Sequence, residues 1–171
     1  MFINGTTLLT MKPIRNMVTT KKRIHGVSYG LSEAGYDIRI KQTLIFEPKT
    51  RSNFEDMITV IQPNGYETTT SGRFTLASAI EEFTMPQDLV GQIKDKSTWA
   101  RKGVSVFNTV AEPGWNGFLT MELVFHGNER VEIKAGSGIA QVLFGFLVEA
   151  GDYADGKYQD AADKPQEAID S

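Results

Sequence analysis

The chain has no cysteine, so it cannot form a disulfide or offer a thiolate as nucleophile or metal ligand. A reducing cytoplasm fits that absence (the host cytoplasm, for a viral chain). Histidine is scarce: His25 and His126 stand in unrelated contexts, and neither reads as a ligand. No apolar run is long enough to span a bilayer, and the N-terminus lacks a signal-peptide pattern. Positive charge is short as well: 18 Lys and Arg against 21 Asp and Glu give a net charge of −3 and a pI near 5.4. Nucleic-acid binders carry a basic field, so nucleic acid is not an expected partner, although a local basic pocket stays open. Internal repeats are missing too.

What remains is a globular composition. Hydrophobic residues make up 40% of the 171, enough for one domain with a sizeable core. Short β-branched and aromatic runs between turn residues predict strands over 36–46, 57–62, 66–70, 73–83, 104–110, 118–125, 130–134 and 139–148, with 89–93 leading into the segment that begins at Lys94. Pro63-Asn64-Gly65 and Ser71-Gly72 read as turns, and 48–56 as a polar loop. Residues 76–83 also permit a helix, but the close spacing of neighbouring strands and turns favours a strand. Residues 139–148 are apolar on both faces and are expected to be buried. Many short strands with a helical turn or two predict a mostly β, jelly-roll-like barrel. Residues 1–150 form the domain, with 1–27 as an arm carrying the basic cluster Lys21, Lys22, Arg23 and His25. From Gly151 onward Asp and Glu dominate, and composition predicts a mobile tail over 151–171.

The chemistry concentrates between Lys94 and Glu122. In the strand Phe118–Phe125, Leu119, Met121, Leu123 and Phe125 share one face, and Phe118, Thr120, Glu122 and Val124 the other. Glu122 thus sits on a largely apolar face. If that face is covered, the cost of burying charge tunes the carboxyl to accept and return a proton near neutral pH. If it is wet, Glu122 is an ordinary surface residue. Upstream, Ser97 and Thr98 are candidate N-caps of a short helix that Gly103 stops. Ser97 and Arg101, four apart, share its face. Lys94, Lys96, Arg101 and Lys102 surround its start, which suits phosphate or a solvated surface equally. Glu112-Pro113-Gly114-Trp115-Asn116-Gly117 reads as a tight turn.

Lys96-Ser97-Thr98-Trp99-Ala100-Arg101-Lys102-Gly103, Glu112-Pro113-Gly114-Trp115-Asn116-Gly117 and Thr120-Met121-Glu122 closely resemble the dCTP deaminases of the dUTPase-like superfamily. The segment Ser28 to Arg39, with Gly35-Tyr36-Asp37, resembles that family's N-terminal motif. Gly138 to Phe144 resembles its last core strand, and Gly156-Lys157-Tyr158-Gln159 part of its C-terminal segment. The resemblance implies the dUTPase-like β fold, a homotrimer with sites at subunit boundaries, and deamination of dCTP to dUTP. Glu122 is then the general base and acid, with Ser97 and Arg101 orienting the water and supporting charge. Lys96, Ser97, Thr98, Trp99, Ala100 and Arg101 cradle the triphosphate, Glu112 faces the sugar, and Thr120, Met121 and Glu122 line the base. The tail is a nucleotide lid with Tyr153, Lys157 and Gln159 as contacts. Mg²⁺ arrives on the phosphates, and dTTP is a candidate inhibitor. The zinc route to deamination needs Cys ligands that this chain lacks, so no zinc is expected.

The sequence also departs from the family pattern. Segment 108–112 is short, Ala161 stands where the family's tail has a second glutamine, and no Gly-rich block follows. Two other readings therefore stand beside the deaminase. One is dUTP hydrolysis to dUMP and pyrophosphate, alone or after deamination, with Asp37 in the motif that resembles dUTPases. The other is a non-catalytic nucleotide-binding regulator.

Overall fold

Alternating apolar residues find partners along most of the chain, and strand follows strand. The computed structural model describes residues 1–52 and 54–170. Asn53, in the expected 48–56 loop, and Ser171, at the end of the expected tail, lie outside the described residues. The first half runs β1 (Phe2–Ile3), α1 (Gly5–Met11), β2 (Lys22–Ile24), β3 (Val27–Leu31), β4 (Tyr36–Arg39), β5 (Thr43–Glu47), β6 (Met57–Ile61) and β7 (Glu67–Ser71). The second runs β8 (Phe74–Thr84), β9 (Leu89–Asp95), α2 (Ser97–Ala100), β10 (Val104–Val106), β11 (Val110–Ala111), β12 (Asn116–Phe125), β13 (Val131–Ile133) and β14 (Gly138–Phe146).

These strands form a 7-stranded sheet in the order β11-β9-β14-β4-β3-β2, with β1 on β14, a 3-stranded sheet β10-β12-β8, and a 4-stranded sheet β13-β5-β6-β7. The sheets do not close on themselves, so the fold is mostly β with two short helices, and the expected barrel is a loose one. β14 lies between β9 and β4 with Ile139, Ala140, Val142 and Phe144 fully buried, as its two-sided apolar sequence requires. Phe46 from the 4-stranded sheet stacks on Phe125 from the 3-stranded one at 5.1 Å between centroids. Among the described residues no helix is long and apolar enough to cross a membrane.

Two expected strands are each divided between sheets. In 36–46 the break falls at Ile40, which bridges Ala79, and Gln42, whose carboxamide donates to Ser78 Oγ at 3.0 Å and accepts from Ser78 N at 2.9 Å. The chain leaves the large sheet after β4 and enters the 4-stranded sheet at β5. In 104–110, β10 pairs with β12 while β11 pairs with β9. Segment 76–83 is a strand, because β8 finds a partner in β12 along nearly its whole length and that pairing overrides its helix propensity. In the expected arm, α1 is anchored by buried Leu8 and ends at Lys12 in the left-handed region, φ 48°.

Candidate active site

β12 carries the site. Leu119, Met121, Leu123 and Phe125 point into the core, at 8%, 0%, 0% and 2% exposure. The alternate face turns Phe118, Thr120 and Glu122 into a cleft of about 460 Å³, a size that suits a small-molecule ligand. Phe74 and Leu76 of the paired β8 give the cleft an apolar side. Thr109, Val110 of β11, and Glu112 and Trp115 of the turn come from the segment before β12.

The turn is built as its sequence demands. Trp115 N donates to Glu112 O at 3.2 Å, and Gly114 takes φ 77°, a conformation that favours glycine at this place in a turn. Trp115 then packs on Phe83, centroids 5.6 Å apart. Glu112 and Glu122 are both exposed carboxylates on the cleft. The cover that Glu122 would need to become a buried acid is not supplied by the described residues of this chain.

The tail closes part of that cleft. Tyr153 N donates to Pro113 O at 3.0 Å, Trp115 Nε1 to Tyr158 O at 2.7 Å, and Phe118 N to Ala161 O at 3.0 Å. The Gln159 carboxamide clamps the turn, accepting from Asn116 N at 2.7 Å and donating to Gly114 O at 3.0 Å. Gly117, at φ 128°, lets the tail pass: a Cβ there would lie 2.5 Å from Ala161 N. Further on, Gln166 N donates to Thr120 Oγ1 at 3.0 Å, and Lys41 pairs with Asp163. Tyr153, Tyr158, Ala161, Gln166, Glu167 and Ala168 thus become cleft wall. Residues 151–170, the segment whose composition suggests a mobile tail, lie docked along β12. An acidic segment with few apolar residues docks because Pro113, Trp115 and the edge of β12 give its backbone partners, and the Gln159 side chain ties it to the turn.

The expected site residues separate into two groups. Glu112, Thr120, Glu122 and Tyr153 meet in the cleft, whereas its walls hold none of Lys96, Ser97, Thr98, Trp99, Ala100 or Arg101. Met121 is on the core side of β12. Lys157 Nζ donates to Ile169 O at 3.0 Å, and Gln159 serves the turn, so neither side chain lines the cleft. In α2, Lys96 is the N-cap position and no side-chain cap is made, contrary to the capping expected of Ser97 or Thr98. Buried Trp99 fixes the helix by donating from Nε1 to Gly138 O at 2.7 Å. Ser97 and Arg101 are exposed, and their side chains make no hydrogen bond or ion pair with other described residues.

Lys96 is held inside the chain. It ion-pairs with Asp37 and donates to Ser28 Oγ at 2.9 Å, while Gln141 Nε2 adds a 3.3 Å bond to Asp37. Asp37 is 1% exposed. A second buried carboxylate, Glu81, takes hydrogen bonds from Arg39 N and Nε, both at 2.8 Å. Burial pushes the Glu81 carboxyl up and outweighs the lowering by Arg39. Neither residue lines the cleft. Among the described residues, no three His, Asp or Glu stand together as a metal-ligating group.

Sequence reasoning missed Asn108, Tyr158 and Gln166. Asn108 had a signal, since a carboxamide is a peptide analogue placed where the segment is short. The others act largely through backbone atoms, which residue type does not reveal.

Residues 8–147 match a family model described as dCTP deaminase-like. A dCTP deaminase of Psychrobacter cryohalolentis is 36% identical over 154 residues, 82% of this chain and 76% of the relative. The structure is similar to that of the 2′-deoxycytidine 5′-triphosphate deaminase of Agrobacterium tumefaciens, with TM-score 0.55 and 9% identity, over 88% of this chain and 50% of that one. Native EIAV dUTPase aligns with TM-score 0.50 and 13% identity, over 78% of this chain and 88% of the other. At such identities the two structures speak to fold alone.

Proposed function

The chain belongs to the dCTP deaminase-like family, and from that premise we propose that it hydrolyses dCTP to dUTP and ammonia, feeding the supply of thymidylate precursors. The observation that carries the reading is the placement of Glu122 beside Thr120 and Glu112 in one ligand-sized cleft. Glu122 takes a proton from water as the oxygen adds to C4 of the cytosine. It returns that proton to the ring nitrogen, and the second water proton leaves with the amine as the C4–N bond breaks. Thr120 and the Asn108–Val110 loop flank the base, and Glu112 takes the sugar.

Ser97 and Arg101 enter from another copy of the chain. They are exposed on α2 with no side-chain partner among the described residues, and no described cationic side chain lines the cleft of the same chain. A homotrimer, which the family resemblance implies, completes the site at a subunit boundary and covers Glu122. The N–H groups and cations of residues 96–101 then hold the triphosphate, with Mg²⁺ bound to the phosphates as part of the substrate. The docked tail is the lid: Tyr153 touches the nucleotide, and Gln159 and Lys157 hold the tail in shape.

A product assay with purified chain, Mg²⁺ and dCTP tests this reading. dUTP without pyrophosphate is the expected result. dUMP with pyrophosphate would make the chain bifunctional, and pyrophosphate from added dUTP with dCTP left intact would make it a dUTPase. That reading is disfavoured here because Asp37 is buried on Lys96 rather than set in the cleft. Tight binding with no product would leave a regulator.

A further inference from the structure

Asn108 stands where the chain changes sheets. β10 runs against β12 with Val106 opposite Leu123, and the ladder extends once more as Phe107 N donates to Glu122 O at 2.9 Å. Three residues further along, Val110 is already paired with Gln92 in the large sheet. Between these points the main chain leaves β12, which should strip β12 of partners beside Glu122. It does not, because the Asn108 side chain stands in for the departed backbone. Its Oδ1 accepts from Glu122 N at 3.0 Å, and its Nδ2 donates to Thr120 O at 2.7 Å. A carboxamide has a donor and an acceptor in the relative placement of a peptide group, so one side chain continues a ladder that the backbone has abandoned. The room so gained is the cleft itself, with Asn108, Thr109 and Val110 on its wall.

We propose that Asn108 is a positioning residue for Glu122: its carboxamide fixes the β12 backbone at Thr120 and at the Glu122 amide, on the N-terminal side of the carboxylate, while the crossing segment opens the cleft. This rests on the deaminase reading above. Asn108 acts through the Glu122 backbone and takes no proton, so it should govern the chemical step more than binding. Loss of a carboxylate's placement by about 1 Å is enough to slow a reaction up to ~100-fold.

The test uses the full chain with dCTP and Mg²⁺, measuring kcat and KM separately, and the hydrogen exchange of the Glu122 amide. Asn108→Ala should lower kcat about 10- to 100-fold with KM within about threefold of wild type, and the Glu122 amide should lose protection. Asn108→Asp keeps the acceptor for Glu122 N–H and loses the donor to Thr120 O. It should retain amide protection and more of kcat than alanine, and it carries the same kcat and KM comparison if Asn108→Ala does not fold. An unchanged kcat in both variants, a loss confined to KM, or a kcat loss in alanine with the Glu122 amide still protected would each overturn the proposal. A wild-type chain that leaves dCTP intact would remove the deaminase reading and the proposal with it. A wild type that turns over beside an equally fast Asn108→Ala removes the proposal alone.

Discussion

The indole of Trp115 donates to the carbonyl of Tyr158 at 2.7 Å, and this bond ties the turn before β12 to the tail that walls the cleft. Trp115 is 6% exposed and rests on Phe83, so the donor is held by the core while the acceptor belongs to a surface segment. An indole N–H that close to the core has few other partners. Replacing it by Trp115→Phe keeps the ring contact and removes the bond. A net hydrogen bond is worth about 1 kcal/mol, so the tail should open roughly fivefold more often. Gln159→Ala removes two bonds to the same turn and should loosen it further. Hydrogen exchange and limited proteolysis of residues 153–169 check both variants. Equal protection in wild type and Gln159→Ala would mean that the carboxamide does not hold the tail.

Glu122→Gln is the direct test of the proposed chemistry. Glutamine keeps the shape and cannot cycle a proton. Turnover of dCTP should fall by about two to four orders of magnitude while nucleotide affinity stays near that of wild type. The two readouts must be separated, because Glu122 shares its cleft with Glu112 and Glu167 and removing one negative charge should if anything help a triphosphate bind. Near-normal turnover would sink the role.

The two-fold alternation of β12 was legible in the sequence, since Leu119, Met121, Leu123 and Phe125 form one apolar row, and one row is enough to fix a face. The same rule that aims Glu122 outward sends Met121 inward, so the expectation that Met121 touches the base conflicts with the strand period itself. Where the chain changes sheets was not legible. The breaks at Ile40 and at Asn108 are set by side chains that bond across elements, Gln42 on Ser78 and Asn108 on β12, and neither leaves a local sequence pattern. The residues of α2 were read as part of the Glu122 site from the motifs that carry them. Their separation from the cleft within one chain depends on topology: β10 runs antiparallel to β12, which puts α2 beyond the Phe125 end of the strand. The tail's acidic composition concealed its docking because most of its bonds are made by backbone.

Two carboxylates should shape the pH dependence of stability with opposite signs. Glu81 is raised by burial, so its folded pKa exceeds the unfolded one near 4.5. The folded form therefore holds that proton more tightly. The contribution is fully present below pH 4.5 and is lost as pH rises through the folded pKa. Asp56 is lowered to about 2 by Arg73, so its contribution is present above pH 3.8 and is lost as pH falls toward 2. Thermal melts across pH should find Glu81→Gln flatter than wild type above pH 4.5, and Asp56→Asn flatter below pH 3.8. A Glu81→Gln curve parallel to wild type on the upper side would mean that Arg39 compensates the burial in full.

The pair formed by Lys96 and Asp37 places a structural demand on a residue that the proposed reading also assigns to phosphate. Asp37 is 1% exposed and Lys96 largely covered, so removing either partner strands a charge. Lys96→Met should cost about 3–5 kcal/mol, and Asp37→Leu combined with Lys96→Met should recover most of that loss, because a well-packed apolar pair can match a buried ion pair. Denaturant melts of the two single variants and the double variant measure the coupling. Triphosphate affinity of the double variant then separates the roles. If Lys96 is only a strut for β4 and α2, the stable double variant binds dCTP like wild type. If it also reaches the phosphates of a neighbouring copy's substrate, affinity falls while stability is kept. The second outcome is expected, since Lys96 Nζ carries three protons and Asp37 and Ser28 Oγ take two, leaving one to offer at the start of α2.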